Sequence, residues 1–309
     1  MKFSGVRGNG LLRWALLPLM LLVAMAQSAA ALFRIRPDVV LGMGGFAAFP
    51  GGLMAVLLGK PLVIHEQNSV AGLTNRVLAC LAERVLAGFP QAFKNSGDKP
   101  LLCSKPTIEW CGNPVRSEIA ALPPPEQRFQ GRQGRLRLLV VGGSLGAAAL
   151  NKTVPQALAL LPEALRPEVV HQAGMKHLEG LQAGYAAAGV AADARAFIDD
   201  MAAMYDWCDL VVCRAGALTV AELTAAGVAA VLVPYPYAVD DHQTGNGRFL
   251  SEHGAAVLLS QTELTAAKLA ELLTSLSRDK LLAMAQAARQ LAKPEATATV
   301  AQVCMELAG

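Results

Sequence analysis

The chain has 309 residues, of which 53% are apolar and 17% are charged. It is therefore too hydrophobic to be intrinsically disordered, and it is long enough for two domains. Its formal charge of +3 is too small to indicate a nucleic-acid-binding protein, so we expect no nucleic acid among its partners.

An uncharged apolar segment lies close to the N-terminus. It runs from Trp14 to Phe33, with Arg13 before it and Arg34 after it. A cleaved signal peptide, a membrane-spanning helix and a buried or membrane-facing helix of a domain all share this pattern. The segment by itself leaves these three interpretations open.

The first half of the chain then alternates short apolar runs with helical patterns. Strands are predicted at 38–41, 62–64 and 84–87. The polar run HEQN, residues 65–68, directly follows the second of these strands and is predicted to form a loop at its carboxyl end. A histidine beside a carboxylate in such a loop could do acid–base work, or it could simply be solvated.

A segment rich in proline, glycine and charge, residues 121–135, is predicted to link this half to a second one. The second half repeats the alternation, with clear helical stretches at 150–161 and 218–226. Its predicted strands are at 136–141, 168–171, 209–213, 230–233 and 256–259. Because strands that alternate with helices indicate parallel sheets covered on both faces, we predict two Rossmann-like domains of the α/β class that face a cleft.

Two strand–turn–helix segments in the second half suit a phosphorylated ligand. In the first, a strand meets the glycine turn 142–146, where a ligand can approach the backbone closely and the N–H groups of the next helix favour phosphate. Ser144 in this turn either donates a hydroxyl group to phosphate or caps the helix. A plain tight turn is the alternative interpretation.

The second such segment covers residues 209–222. Glu222 lies about one turn into its helix, where a carboxylate could accept hydrogen bonds from both hydroxyl groups of a ribose; the alternative is an exposed helical glutamate. Ligands of open α/β sheets bind beyond the carboxyl ends of the strands, so the two turns together predict one nucleotide-like ligand. Residues 240–243 form a further polar loop, after the predicted strand at 230–233.

The cysteines and histidines indicate no metal site. The six cysteines include no C-x-x-C pair, and the five histidines show no close-spaced metal pattern. We therefore expect no metal or other cofactor. We interpret the cysteines as free core thiols of a protein in a reducing compartment.

Taken together, the motifs resemble those of the bacterial MurG glycosyltransferases. The matching stretches, in the family's order and spacing, are PDVVLGMGG, HEQN followed by AGLTN, GNPVR, VVGGSLGA, FIDDMAAMY, CDLVVCRAGALTVAEL and VPYPYAVDDHQTGN. The resemblance extends from about Ser4 to the C-terminus, and it is the combination of motifs that is specific.

The resemblance implies a GT-B fold with two Rossmann-like domains. An acceptor- and membrane-binding domain would cover 1–120 plus the helix 294–309, and a UDP-GlcNAc-binding domain would cover 121–293. The implied activity is inverting and needs no metal ion: the enzyme moves N-acetylglucosamine from UDP-GlcNAc to lipid I, giving lipid II for peptidoglycan.

The family's donor-binding pattern assigns roles to particular residues of this sequence. By resemblance, Ser144 and neighbouring backbone N–H groups would bind the pyrophosphate, and Glu222 would bind the ribose. Ile198 would contact uracil through its backbone, while Arg116 and Gln243 would hold the diphosphate and the sugar hydroxyls. The full implied set is Asn68, Arg116, Ser144, Ile198, Ala217, Leu218, Thr219, Val220, Ala221, Glu222 and Gln243.

Family members begin with a strand and a GGTGGH-type loop, which carries a histidine often regarded as the catalytic base. The sequence given starts roughly where the family's third strand region ends, so by resemblance its N-terminal domain is incomplete. His65 and Glu66 are then the remaining candidates for acid–base help. Two alternatives stay open: a chain that only binds the UDP-sugar, and an enzyme of the same architecture with another lipid acceptor.

The resemblance also favours the domain-helix interpretation of the apolar segment, because the family's helix at this place docks on the inner membrane. The side chains predicted to insert shallowly beside anionic lipid, edged by Arg7 and Arg13, are Leu16, Leu17, Met20 and Leu22. We therefore expect a peripheral protein at the cytoplasmic face of the cell membrane. Its expected partners are UDP-GlcNAc, lipid I and anionic inner-membrane lipid.

Overall fold

The computed structural model describes residues 11–94, 107–143, 146–238 and 241–309, and the side chains of residues 11–17 lie outside this description. By its contacts the chain divides into two units. One comprises Met1–Pro114, as far as it is described, with Glu295–Gly309, and the other comprises Val115–Pro294. The sequence predicts these boundaries a few residues away, after residues 120 and 293.

The described part of the first unit is a parallel sheet with helices packed against it. The four strands pair in the order β1-β2-β3-β4, and all pairs are parallel. The strands are β1 (Val40–Gly42), β2 (Leu62–Glu66), β3 (Arg84–Ala87) and β4 (Ile108–Trp110). The helices are α1 (Leu11–Ile35), α2 (Ala48–Leu57), α3 (Leu73–Leu78) and, from the end of the chain, α13 (Ala296–Ala308).

Strand β2 is buried on both faces, which explains its continuous apolar run. Leu62 and Ile64 pack with Leu78 of α3 on one face of the sheet. Val63 points the other way and packs in a cluster with Val300 of α13. This alternation places the C-terminal helix in the core of the first unit.

Helix α1 has one buried side and one exposed apolar side. Ala24 and Ser28 lie one turn apart on the buried side, and Ser28 donates a hydrogen bond to the Ala24 carbonyl oxygen at 2.8 Å. The stretch Pro18–Ile35 is long and apolar enough to cross a membrane, a test that core helices and signal sequences near an N-terminus also pass. Only 11% of that stretch is buried in the protein.

The second unit is an α/β unit whose six described strands form one parallel sheet in the order β10-β9-β8-β5-β6-β7. The strands are β5 (Arg137–Val141), β6 (Glu168–Gln172), β7 (Asp193–Arg195), β8 (Leu210–Cys213), β9 (Ala230–Leu232) and β10 (Ala256–Leu258). The helices are α4 (Ser117–Ala120), α5 (Pro125–Phe129), α6 (Ala148–Ala159), α7 (Leu178–Ala188), α8 (Met201–Trp207), α9 (Ala217–Ala226), α10 (His242–Ser251), α11 (Ala266–Ser275) and α12 (Arg278–Gln290), with a 3-10 turn at Glu163–Leu165. Numbered within the unit, this is the 3-2-1-4-5-6 order of dinucleotide-binding folds.

The structure differs from the sequence predictions in two strands, in the linker and in the cysteines. The strands β4 and β7 are not predicted. The predicted linker at 121–135 belongs to the second unit, where it forms α5 and buries Phe129 and Arg128.

Of the described cysteines, Cys80 is disulfide-bonded, so the prediction that all six are free thiols is wrong. The other described cysteines, Cys111, Cys208, Cys213 and Cys304, are free thiols.

Candidate functional site

The loops that carry the predicted donor-binding residues leave one edge of the second sheet. Val141, at the end of β5, is in register with Cys213, at the end of β8. The order of neighbouring strands reverses between these two, so their carboxyl ends diverge into loops on opposite faces and open a crevice. The turn 142–147 and the turn 214–216 both start at this point. This crevice is the place where open α/β sheets bind ligands.

The turn after β5 has a backbone geometry that requires glycine. Gly146 has φ +77°, and a Cβ atom built on it would overlap the carbonyl oxygen of Ala173. A Cβ atom on Gly142 would overlap the backbone nitrogen of Ala147. The Gly146 N–H donates to the Gly143 carbonyl oxygen at 2.9 Å and closes the turn. Ser144, predicted to meet phosphate, lies outside the described residues.

Helix α9 presents uncapped N–H groups at the same edge. It begins directly after Gly216. The φ angle of this residue, −67°, is one that any residue can adopt, and Gly216 provides no side-chain cap for the helix. The first helical hydrogen bond is donated by the Val220 N–H to the Gly216 carbonyl oxygen at 2.9 Å. The preceding N–H groups, together with the positive end of the helix dipole, are suited to an anion. They belong to Ala217, Leu218 and Thr219.

The carboxylate of Glu222, one turn further along α9, contacts two side chains. Its Oε2 atom accepts a hydrogen bond from the hydroxyl group of Tyr205 at 2.9 Å. Its Oε1 atom lies 3.4 Å from Nη2 of Arg116. The Glu222 side chain is 20% exposed and that of Arg116 is 52% exposed. Glu222 is therefore an oriented acceptor at an accessible place, not the free surface glutamate of the alternative interpretation.

Arg116 and Glu222 thus meet in the structure, although the sequence predicts one for the diphosphate and the other for the ribose. Beside them is a groove of about 620 Å³ between α4 and the start of α8. Its lining includes Ile119, Asp199 and Met201. Ile198 directly precedes Asp199 in the chain and is only 4% exposed. Its buried side chain anchors this loop.

Gln243 lies at the start of α10, in the loop region that follows β9. Its Oε1 atom accepts a hydrogen bond from the Tyr235 N–H at 2.9 Å, which leaves its amide Nε2 group as the donor for a ligand. Arg214, in the turn after β8, donates to the carbonyl oxygens of Val233 and Pro234 at 3.2 and 3.1 Å. These bonds tie the loop after β9 to the turn after β8.

His65 and Glu66 are not in a loop, contrary to the sequence prediction. They are the last two residues of β2 in the first unit, with exposed fractions of 0% and 4%. The His65 Nε2 atom bonds the Gly112 carbonyl oxygen at 2.9 Å, and its Nδ1 atom lies 3.0 Å from the Gln67 amide nitrogen. Burial lowers the pKa of His65 below its usual value, although the Gly112 carbonyl and Glu66 oppose this effect. The imidazole is therefore a neutral, fully engaged group.

The Glu66 carboxylate organises the loop that follows it. Its Oε1 atom accepts from the Asn68 N–H at 2.9 Å. Its Oε2 atom accepts from the Asn75 amide at 2.8 Å and from the Gly72 N–H at 3.2 Å. Glu66 therefore holds the backbone of Asn68 in place. Through this contact the structure brings these two predicted site residues together.

Tyr205 is a functional candidate that the sequence patterns do not single out. Tyr205 lies in the quoted stretch FIDDMAAMY, and its spacing four residues after Met201 on α8 is the only available signal that it faces inward. Its partner Glu222 is 17 residues away in sequence. Among the described residues, no group of three or more histidine, cysteine, aspartate and glutamate side chains could hold a metal ion.

Comparison with known proteins supports the same architecture. Residues 137–301 match the family model described as Glycosyltransferase family 28 C-terminal domain, and residues 2–87 match the one described as Glycosyltransferase family 28 N-terminal domain. A crystal structure of MurG from Acinetobacter baumannii is similar with a TM-score of 0.81 and 40% identity, covering 94% of this chain and 79% of that one. A Streptomyces glycosyltransferase complexed with thymidine diphosphate shares the fold, with a TM-score of 0.54 and 18% identity over 92% of this chain and 74% of that one.

Two bacterial enzymes are much closer in sequence. Both carry the name UDP-N-acetylglucosamine--N-acetylmuramyl-(pentapeptide) pyrophosphoryl-undecaprenol N-acetylglucosamine transferase. The one from Thiobacillus denitrificans is 62% identical over 307 residues, covering 99% of this chain and 83% of that protein. The one from Cupriavidus metallidurans is 61% identical over 308 residues, covering 100% of this chain and 83% of that protein.

Proposed function

The chain belongs to the MurG family of UDP-N-acetylglucosamine--N-acetylmuramyl-(pentapeptide) pyrophosphoryl-undecaprenol N-acetylglucosamine transferases, and on this premise we propose its reaction. It transfers N-acetylglucosamine from UDP-GlcNAc to lipid I and so forms lipid II, a precursor of peptidoglycan. The observation that carries the proposal within this chain is the crevice between the carboxyl ends of β5 and β8, with the two turns that open onto it.

We propose that this crevice binds the donor nucleotide. The uncapped N–H groups of α9 and the glycine turn after β5 suit the diphosphate, since both offer backbone donors and the helix adds a positive end. The oriented carboxylate of Glu222 suits the ribose hydroxyls, and the free amide of Gln243 suits a sugar hydroxyl. The same donors would stabilise the charge that develops on UDP as it leaves.

We propose that Arg116 changes its partner when the nucleotide binds. In the structure its guanidinium lies on Glu222, at an exposed position where such a pair contributes at most about 1 kcal/mol. A diphosphate offers Arg116 a stronger partner because it carries more charge and can accept two parallel hydrogen bonds. Nucleotide binding would therefore turn Arg116 to the diphosphate and leave Glu222 for the ribose.

The roles predicted for the uracil and for Asn68 remain proposals as well. The buried side chain of Ile198 supports a backbone contact, because it fixes the loop while the peptide groups recognise the base edge. Asn68 is supported by the bonds from Glu66 that place it. For His65 and Glu66 the contacts support holding this loop in place, and their acid–base role stays a prediction.

We also propose that α1 docks the protein on the cell membrane. Leu19, Leu22 and Phe33 lie on the side of the helix opposite Ala24 and are 60%, 63% and 66% exposed. An apolar stripe of this kind suits shallow insertion at the surface of a bilayer. Arg34 and Arg36 are exposed at the end of the helix and suit anionic lipid. The predicted contributions of Leu16, Leu17, Arg7 and Arg13 lie outside the described side chains.

One observation, the burial of His65 and Glu66, is the reason to keep a competitor to the transferase proposal. His65 and Glu66 are buried and fully hydrogen-bonded, so a chain that binds the UDP-sugar without transferring it is the second candidate. Incubation with ¹⁴C-labelled UDP-GlcNAc and a lipid I analogue tests both. Label in the lipid fraction supports the transferase, whereas UDP-GlcNAc binding by calorimetry with no labelled lipid supports the binder. Absence of both would contradict the proposed donor site.

A further inference from the structure

The hydroxyl group of Tyr205 is buried against the carboxylate that the proposed function assigns to the ribose. Tyr205 is 1% exposed, and its hydroxyl donates to Oε2 of Glu222 at 2.9 Å. Burial, followed by the charge of Glu222, raises the pKa of Tyr205 well above its ordinary value, so the phenol keeps its proton and remains a donor. The phenol is therefore a donor to the Glu222 carboxylate at neutral pH.

One buried guanidinium joins the two helices that carry the partners of this contact. Arg128, on α5, is 7% exposed and donates to the carbonyl oxygen of Tyr205 at 2.7 Å. The same side chain donates to the carbonyl oxygen of Ala226, at the end of α9, at 2.7 Å, and to that of Gly227. Arg128 thus joins the helix that carries Tyr205 to the helix that carries Glu222. The distance from the phenol to the carboxylate is set by this junction and by the helices themselves.

The contact decides how the carboxylate faces the ligand. A glutamate side chain has three rotatable bonds, and only a narrow range of their angles presents one carboxylate edge to two neighbouring hydroxyl groups. With Oε2 held by Tyr205, Oε1 is the atom that faces Arg116 and the open side. Without the phenol, the carboxylate is free to rotate toward Arg116 or into solvent. Its ability to distinguish two ribose hydroxyls from one would then be lost.

We infer that Tyr205 is a positioning residue which, by holding Glu222, makes the donor site select ribonucleotides over 2′-deoxyribonucleotides. This inference rests on the proposed role of Glu222 as the ribose ligand. Tyr205 touches no substrate atom in this account, and it acts only through the carboxylate. Its contribution therefore shows in the ratio of two affinities and not merely in the stability of the protein.

Calorimetric titration of the full chain with UDP and with 2′-deoxy-UDP measures this ratio. The unchanged protein should prefer UDP by roughly tenfold or more, the value expected for hydrogen bonds to a charged group. The Tyr205→Phe variant should lose most of this preference by weaker UDP binding, with little change for 2′-deoxy-UDP. Glu222→Ala should abolish the preference. Tyr185→Phe is the matched control, because it removes another buried hydroxyl that bonds His171 instead, and it should keep the parent ratio.

The outcomes separate the inference from the function on which it rests. An unchanged ratio in Tyr205→Phe, together with its loss in Glu222→Ala, would overturn the positioning role alone. An unchanged ratio in Glu222→Ala would overturn the ribose role of Glu222. If Tyr205→Phe does not fold, the hydroxyl proton resonance of Tyr205 in the unchanged protein gives the answer by NMR. A larger shift with UDP than with 2′-deoxy-UDP supports the inference, and equal shifts contradict it.

Discussion

At the scale of single residues, the second unit buries polar groups whose partners are distant in sequence. His171 is an example, with no exposed surface. The Asn151 amide donates to the Ala173 carbonyl oxygen at 3.0 Å, so its Oδ1 atom accepts from Nε2 of His171 at 3.1 Å. The Tyr185 hydroxyl then donates to Nδ1 at 2.9 Å. This chain of bonds uses the neutral imidazole and has no place for a second proton.

We predict from this network that stability falls in mild acid. Burial lowers the pKa of His171 to about 3, whereas its unfolded value is 6.5. The unfolded state therefore binds more protons between these two values, so the stabilisation is complete above pH 6.5 and is lost as the pH falls toward 3. The loss approaches about 1.4 kcal/mol for each pH unit.

Urea unfolding at a series of pH values measures this effect. The His171→Gln variant should show a shallower pH dependence than the parent, while His253→Gln, at an exposed position, should show the parent's slope. His65 contributes with the same sign, because burial lowers its pKa too, and it remains in both variants. Equal slopes for His171→Gln and the parent would show that the imidazole is not held neutral.

At the scale of elements, the glycine turn after β5 shows why the strand and the helix meet as they do. Gly143 and Gly146 both have positive φ angles, of +79° and +77°. Among the described residues, nothing lies within 4 Å of a Cβ atom built on Gly143, whereas the Ala173 carbonyl oxygen blocks one on Gly146. The first glycine is required only by its backbone angle and the second also by packing. The pair therefore offers a controlled comparison.

We predict that Gly146→Ala weakens UDP binding by at least roughly tenfold and destabilises the protein by several kcal/mol. The reason is that the turn or the strand β6 must move to relieve the contact. Gly143→Ala should cost only about 1–2 kcal/mol, the strain of a positive φ angle. Urea unfolding and calorimetry on both variants provide the measurements. Equal effects for the two substitutions would mean that the close contact with Ala173 is absent.

Helix α1 gives a second prediction at this scale. Replacing Leu22 and Phe33 by serine should weaken binding to phosphatidylglycerol vesicles by at least roughly tenfold, because two apolar side chains no longer leave water. Leu160→Ser, at a position 59% exposed in the second unit, is the control and should not change vesicle binding. Vesicle sedimentation measures the bound fraction. Undiminished binding of the double variant would place the membrane contact elsewhere.

The strands that the sequence predicts are more buried than the strands that it misses. The limits of β3 are predicted as observed, and β5, β6 and β8 within one residue, because each is an apolar run. Among the described strands, the missed strands β4 and β7 lie at the edges of their sheets, and none of their residues is fully buried; their sequences are IEW and DAR. An edge strand needs no continuous apolar run, so no hydrophobic pattern marks it.

At the scale of the whole molecule, the position of the donor site could be predicted and its internal contacts could not. Local motifs mark the turns after β5 and β8, because strand, glycine and helix follow one another along the chain. The Tyr205–Glu222 contact and the contacts of Arg128 depend on helices that meet only in the folded unit. The same holds for the burial of His65 and Glu66, since β2 becomes central only when β1 and β3 pair with it.

A donor site made of backbone N–H groups and Arg116 leads to a prediction about metal ions. We expect the affinity for UDP-GlcNAc to be the same, within about twofold, in EDTA and in magnesium chloride, because the protein itself neutralises the diphosphate. Calorimetry under the two conditions is the measurement, and titration of a magnesium-dependent nucleotide-binding protein under both conditions is its control. Binding that requires magnesium would mean that a cation supplies the missing charge.

The proposed donor site is best tested by a crystal structure of the full chain with UDP bound. We expect a diphosphate against the first turn of α9 and the glycine turn after β5, with the ribose hydroxyls on the Glu222 carboxylate. Tyr205 should keep its hydrogen bond to that carboxylate. A nucleotide bound away from the carboxyl ends of β5 and β8, with Glu222 still paired only to Arg116 and Tyr205, would contradict the proposed donor site.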